Sequence, residues 1–519
     1  MRSLKILKLR KCNCQFMNVR RLATKSTWKP VVGLEIHAQI SSESKLFSGA
    51  SSNYGEPVNS CVSFFDCATP GTLPVLNRKC VEAGVLTALA LSCKVNEVSL
   101  FDRKHYFYAD LPSGYQITQQ RQPLAIDGEL KFNVFSSDTK IPSYTKVSKI
   151  KQIQLEQDSG KSLHDEKRGL SLVDLNRAGV PLMELVFEPD LASGEEAAAL
   201  VKELVITLER LNTCSCKMEE GALRVDANIS IHKPNEPLGV RTEVKNIGSI
   251  RGVGGAIKYE IKRQMKILES GGKIVNETLS WDAEKQMTVS MRDKEEKQDY
   301  RFMPEPNLPP LRLHVDDRND NKFNLVDVCS LKKAIPKLPE ELRDNLRNNY
   351  GLSRQATCSI VNEQKLLQFF EEIMQENNAR NPKTVTNVLL MELMEFVNKN
   401  KLELDNVSFS SKQIGEIVDL LQNQTINLAT TKKVFNKLHE NPEQMPKQIV
   451  EEERWSQIND PDELTKMCQA ILDENPQWVT LYKSGKTKLL RAMLGAIVKK
   501  YEGRANMGKV VKIFEKLLE

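Results

Sequence analysis

The chain has 519 residues, 40% hydrophobic and 27% charged, too many for one ordinary core, and about two to four domains are expected. No run of about 18 apolar residues occurs, so neither a transmembrane helix nor a membrane partner is expected. The formal net charge of +6 misleads: residues 1–34 hold nine Lys/Arg and no acid, which leaves 65 basic against 68 acidic residues in the remainder, a net of −3. Eleven irregularly spaced cysteines in so long a chain do not suggest a disulfide scaffold and suit a reducing compartment.

In chain order, residues 1–27 (MRSLKILKLRKCNCQFMNVRRLATKST) are basic, acid-free and contain helix formers. That is the composition of a mitochondrial transit peptide, and no apolar core of about 7–15 residues marks a secretory signal. Next, VVGLEIHAQI (31–40) reads as a buried strand with two misfits, Glu35 and His37, which strand alternation places on one face with Gly33 and Gln39. FDRKHYFYADLPSGYQITQ (101–119) crowds Arg103, Lys104 and His105 among tyrosines and phenylalanines, a set suited to phosphates, carboxylates or stacked bases. EEAAALVKELVITLERL (195–211) has a helical apolar period, with Ser193 placed to cap it. LRVDANISIH (223–232) alternates as a strand, and SIRGVGGAIKYEIKRQMKILESGG reads as a second long helix with its glycines near its ends.

Beyond about residue 320 the pattern is almost wholly helical and poor in glycine. KLLQFFEEIMQE, VLLMELMEFVNK and KQIGEIVDLLQ are amphipathic segments of bundle size, and 401–411 and 440–460 read as linkers. Residues 480–519 hold ten Lys/Arg and three Glu, a net of +7, beside an apolar stripe of Leu490, Met493, Leu494, Ile497 and Val498. Such a basic helical end suits a phosphate backbone, although a solvated helix face has the same look.

Two strings, Gly160-Lys161-Ser162 and Gly485-Lys486-Thr487, invite a phosphate-loop reading. Both fail, because Leu155 and Thr480 stand where the first glycine belongs. Cys61/Cys67 and Cys214/Cys216 lack the two-to-four-residue spacing of zinc ligands. The acids are more suggestive. Glu156, Glu184 and Asp226 sit among apolar neighbours, where an ionised group is costly unless paired or metal-bound, and Glu219 and Glu220 precede Asp226. Acids converging with a histidine would suit a divalent cation serving phosphoryl transfer.

At this point the motifs become recognisable. GLEIHAQI, PGTLPVLN, RKHYFYADLPSGYQI, LEQDSGKSLHD, VDLNRAGVPLMELVFEPD, MEEGALRVDANISI, TEVKNIGSIR and DYRFMPEPNLPPL span nearly all of residues 31–311. They resemble the B-type subunits of the glutamyl-tRNA(Gln)/aspartyl-tRNA(Asn) amidotransferases in their mitochondrial form, and GRANMGKVVKIFEKLL resembles that family's C-terminal tail. The resemblance implies an α+β protein: a mixed α/β cradle, the catalytic domain, over 28–320, an all-α helical domain over 321–447 and a small helical tRNA-binding tail over 448–519. It also implies an ATP-dependent ligase in the mitochondrial matrix that phosphorylates the γ-carboxylate of misacylated Glu-tRNA(Gln). Ammonia from glutamine, supplied by the amidase (A-type) subunit, would then yield Gln-tRNA(Gln). A small C-type subunit would hold the two larger ones together in a heterotrimer.

By match to the family's motifs, Glu35, His37, Glu156 and Glu184 would line an Mg2+ site with Asp226 beside them. His37, Glu156 and Glu184 are the expected metal set, with His37 either a direct ligand or the orienter of a bound water. Lys104 and Arg224 would contact ATP phosphates or substrate. The chain also departs from the family. Ser48 and Ala50 stand where many members carry the first cysteines of a zinc set, so no zinc is expected. Ala109, Ser113 and Gln157 replace the familiar proline, lysine and acid. A non-catalytic tRNA scaffold would need a degraded metal site, whereas the residues are present. The archaeal E-type form carries a large inserted domain that this length excludes.

Overall fold

The computed structural model describes residues 28–135, 142–291, 300–316 and 320–518, so the expected transit peptide lies outside the described residues. The fold is α+β, and the chain divides into two compact units between Ala334 and Ile335.

The first unit is built on a nine-stranded sheet. Its strands run, edge to edge, Met287–Ser290, Thr278–Asp282, Thr242–Ile247, Leu223–His232, Lys29–Gln39, Pro181–Phe187, Tyr144–Gln157, Ala125–Val134 and Lys94–Val95. Every neighbour is antiparallel except 242–247 with 278–282. Period-two alternation sorts the central strands into an oily and a polar face. Leu34, Ile36, Ala38, Ile153, Leu155, Met183, Leu185, Val225 and Ala227 are completely or almost completely buried on one side. Each such Leu, Ile or Val contributes about 1.5–3 kcal/mol by leaving water. Helices Arg78–Ala90, Gly194–Arg210 and Ile250–Glu269 cover that side.

The two long helices form where the sequence places them. Ser193 accepts from the Glu196 backbone N–H at 3.2 Å, and Ser249 does the same for Gly252 at 3.0 Å, each satisfying an otherwise orphaned first-turn donor. The glycines of the second helix do more than sit at a tolerant end. Gly194 and Gly254 meet backbone to backbone where the helices cross, and a Cβ on Gly194 would collide with the Gly254 carbonyl oxygen. A smaller sheet, Arg301–Pro304, Asp102–His105 and Tyr115–Thr118, lies against the polar side of the large one through strand 144–157.

The second unit is helical, with one core around Phe369, Phe370, Leu389, Ile417 and Phe435 and another around Leu464, Cys468, Met493, Ile497 and Phe514. The three segments picked out by periodicity are helical here, although Val388–Leu393 is wound as a π-helix. Residues 440–460 are not simply a linker: Pro446–Glu452 forms a helix that buries Ile449 and Val450. Seven residues are too few for the apolar period to show in sequence. In the C-terminal stripe Met493 and Ile497 are buried, while Val498 is exposed. Eight of the ten basic residues after residue 479 are exposed.

Candidate active site

Strand 29–39 runs between 181–187 and 223–232, and its register fixes what faces what. His37 stands opposite Glu184 on one side and Arg224 on the other, and Glu35 stands opposite Asp226. Directly opposed residues project to the same face, so these five side chains share the polar face. Strand 144–157 adds Gln154, opposite Glu184, and two residues on Glu156. Three segments far apart in the chain thereby converge. His37 Nε2 lies 3.5 Å from Glu156 Oε1 and 3.8 Å from Glu184 Oε1, and the three donor atoms lie within 4.8 Å of one another. This is the single group of metal-capable His, Cys, Asp or Glu side chains among the described residues.

The trio sets two acids that resist ionising beside an uncharged imidazole. Burial, then the neighbouring Glu156 carboxylate, holds Glu184 well above the ordinary carboxylate range, with Lys104 pulling the other way. Burial also raises Glu156, opposed by Lys104 and by a hydrogen bond from Thr118. The His37 imidazole is pushed down to about 3 by burial and then by the cations of Arg224, Lys104 and Lys245. It is therefore neutral at physiological pH and able to offer a nitrogen lone pair. A buried and a partly buried carboxylate that resist ionising side by side, next to a neutral imidazole, form a donor set that a divalent cation would complete. Carboxylates suit Mg2+ and the imidazole widens the choice toward Mn2+.

Glu35 and Asp226 continue the acidic strip outside the trio. Asn228 Nδ2 donates to Glu35 Oε1 at 3.0 Å. Asp226 accepts from the Asn246 backbone N–H at 2.7 Å and faces Lys245 Nζ at 4.0 Å. Burial lifts Asp226 to about 6 despite those two contacts. Asn246 sits at φ 53°, where the ladder register shifts, and that bend aims its N–H at the carboxylate.

The basic residues enter from two directions. Arg224 Nη2 donates to Asp158 Oδ2 at 2.8 Å, and its buried Nε has no hydrogen-bond partner among the described residues. Lys104 belongs to the smaller sheet, where it opposes Gln116 while Asp102 opposes Thr118. Gln116 Nε2 donates to the Gln157 carbonyl at 2.7 Å and Thr118 Oγ1 to Glu156 Oε2 at 3.2 Å, so this face, Lys104 included, is turned toward the acids. Alternation sends Arg103 the other way, into a two-bond pair with Glu305 at 2.6 and 3.0 Å.

A family model described as the GatB/GatE catalytic domain matches residues 30–318, and a second, described as the GatB domain, matches 368–518. The chain belongs to the GatB family. It is 52% identical over 520 residues to the B-type subunit of the mitochondrial glutamyl-tRNA(Gln) amidotransferase of Aedes aegypti, covering 98% of each chain. It is 47% identical over 494 residues to the human protein of that name, covering 95% of this chain and 88% of the relative. The B-type subunit of the aspartyl/glutamyl-tRNA(Asn/Gln) amidotransferase of Rickettsia canadensis is 42% identical over 479 residues, 92% of this chain and 95% of the relative. This GatB chain is thus one subunit of an amidotransferase and is mitochondrial, in agreement with the basic leader.

In this family member the positions discussed for zinc carry other chemistry. Ser48 Oγ donates to Asp66, which also takes the fully buried Lys45 ammonium at 3.0 Å. Cys61 is buried, and Cys67 is exposed with its thiol beside Thr69. Cys214 and Cys216 are buried near each other, with the Cys216 N–H on Cys214 Sγ. Ser113 Oγ donates to the Tyr115 carbonyl. Glu220 pairs with Lys217 on the short turn Met218–Glu220, apart from the trio.

Sequence reasoning missed three residues that touch the cluster. Asp158 holds Arg224, Gln154 donates to Glu184, and Thr118 donates to Glu156. Gln154 had a signal, because in QIQLEQ every second residue is polar and the Glu156 face extends back through it. Thr118 had none, since it arrives from a different sheet.

Proposed function

We propose that this GatB chain activates the glutamyl group of misacylated Glu-tRNA(Gln) at the His37–Glu156–Glu184 cluster, as the ATP-dependent half of a glutamine-hydrolysing, carbon–nitrogen-bond-forming ligase. The reading rests on one observation: a buried glutamate, a partly buried glutamate and a neutral imidazole converge under Lys104 and beside Arg224. A carboxylate is a poor acylating agent. Attack of its γ-oxygen on the terminal phosphorus of ATP would release ADP and leave an acyl phosphate. Ammonia would then add to the carbonyl carbon and expel phosphate, giving Gln-tRNA(Gln). Bringing two anions together requires positive charge, and Mg2+ bound at the trio would neutralise phosphate oxygens.

Glu156 and Glu184 would hold the ion, with His37 completing the set. Lys104 would meet the phosphates from the smaller sheet. Arg224, fixed by Asp158 and with a donor unused by the described residues, would meet a phosphate or the substrate carboxylate. Glu35 and Asp226 lie where they would orient water or substrate beside the ion. Ammonia would come from the amidase partner, with a small third subunit holding the two larger ones together, and the basic C-terminal helices would contact the tRNA backbone.

The test is reconstitution with both partner subunits and an assay of Glu-tRNA(Gln) conversion. Glu184→Gln and His37→Ala are expected to abolish ATP-dependent formation of the phosphorylated glutamyl-tRNA while the assembly remains intact. Normal ATP-dependent turnover in both variants would refute the reading.

A further inference from the structure

We propose that Thr118 and Gln154 are positioning residues that turn one oxygen of each glutamate toward the cation. The inference rests on the cation reading above and concerns how this chain presents its ligands. Each glutamate of the trio divides its two oxygens in the same way. Glu156 Oε1 faces His37 Nε2 and its Oε2 accepts from Thr118 Oγ1 at 3.2 Å. Glu184 Oε1 faces His37 Nε2 and its Oε2 accepts from Gln154 Nε2. The same Gln154 amide donates its second proton to Thr118 Oγ1 at 3.2 Å, and Gln154 Oε1 accepts from Gln152 Nε2 at 2.6 Å.

Donor arithmetic gives this chain one direction. A hydroxyl has one proton, so a Thr118 that donates to Glu156 must accept from Gln154. The Gln154 amide nitrogen has two protons, and both are used. With both glutamates ionised, as cation ligands would be, reversing the amide would press its carbonyl oxygen against the Glu184 carboxylate and leave Thr118 facing a second acceptor, so in that state the arrangement is self-consistent in one sense only. Thr118 and Gln154 are almost completely buried, so water does not compete for these bonds. An unassisted carboxylate rotates freely about its last torsion. Here each is held by one oxygen, and the Glu156 and Glu184 carboxyls meet each other and His37 around the space that the three donor atoms surround.

Thr118 has a second consequence. It lies on the strand next to Lys104 and projects to the same face. The bond to Glu156 therefore ties the smaller sheet to the larger one and sets the phosphate-facing lysine relative to the ligands. Outer-shell partners of this kind typically change metal affinity by about 10- to 100-fold.

The experiment measures Mn2+ binding to the purified assembly with its partner subunits, by electron paramagnetic resonance titration, alongside the KM and kcat for the divalent cation. Thr118→Val keeps the branched shape and removes the hydroxyl, Thr118→Ser keeps the hydroxyl, and Gln154→Met removes the amide at constant length. Thr118→Val and Gln154→Met are expected to weaken Mn2+ roughly 10-fold or more and to raise the KM for the cation more than they lower kcat. Thr118→Ser is expected to stay within about 3-fold of wild type. Should Thr118→Val not fold, Gln154→Met carries the comparison alone. Wild-type affinity in the folded valine and methionine variants would overturn the proposal and leave the cation site standing. Wild-type protein that binds no Mn2+, or binds it undiminished in Glu184→Gln, would overturn the cation reading and this inference with it.

Discussion

Glu184→Gln is expected to stabilise the cation-free protein while abolishing its response to divalent cations. The donor atoms of Glu156 and Glu184 lie no more than 4.8 Å apart, so at an effective dielectric constant of about 20 two unit charges there repel by about 3.5 kcal/mol or more. Protonation relieves part of that cost, because burial and then the Glu156 charge hold Glu184 well above the ordinary carboxylate range. The amide removes the remainder at nearly constant shape. Its oxygen can go on accepting from Gln154, and its NH2 can donate to Glu156 Oε1. A gain on the order of 1–2 kcal/mol follows, roughly 2–5 °C in Tm for a domain of this size. The wild-type assembly is expected to gain about 2.7 kcal/mol when Mg2+ or Mn2+ is present at 100 times its Kd. Glu184→Gln loses that response. Differential scanning calorimetry of the assembly in EDTA and in excess cation measures both effects. A variant destabilised in EDTA that keeps the wild-type cation shift would show that the acids are an ordinary buried network and that the reasoning is wrong.

Arg224→Lys keeps the charge but loses the planar fork held by Asp158, and kcat/KM for ATP in the assembly is expected to fall about 10²-fold; an unchanged value would remove Arg224 from the reaction. Glu260 is fully buried and accepts from Arg263, Thr242, Gln264 and Thr288; burial alone would raise its pKa, but these donors outweigh it and hold the carboxyl below its usual value of about 4.5. A depressed carboxylate stabilises above its unfolded pKa and ceases to do so as pH falls through the folded one, so Glu260→Gln should cost about 3–5 kcal/mol at pH 7 and less at progressively lower pH, by denaturant unfolding. Exposed Lys499 and Lys512, each replaced by alanine, are expected to weaken tRNA binding and flatten the dependence of log Kd on log salt by about 0.7–0.9 per lost contact, and an unchanged slope would exclude these side chains from the tRNA surface.

Local pattern carried a good part of this architecture. Ser193 and Ser249 mark the starts of the two long helices because a capping oxygen is a local device, read within four residues. The short helix Pro446–Glu452 escaped because seven residues do not establish a period. At the candidate site, alternation along 31–40 was enough to put Glu35 and His37 on one face, since the pleat fixes successive side chains to opposite sides whatever the strand pairs with. The family motifs then supplied Glu156, Glu184 and Asp226 as companions.

The sequence by itself therefore determined which residues of one strand share a face and where the long helices begin. The tertiary structure decided which of them touch. Strand order placed 29–39 between 181–187 and 223–232, and register set His37 against Glu184 while carrying Glu35 and Asp226 two pairs further along. It also brought Thr118 from a separate sheet to Glu156. Pairing and register are long-range choices, made by burying one whole apolar face against three helices. An alternating strand specifies its two faces but not its neighbours, so which acids meet His37 and which stand aside exists as a distinction only once the sheet is assembled.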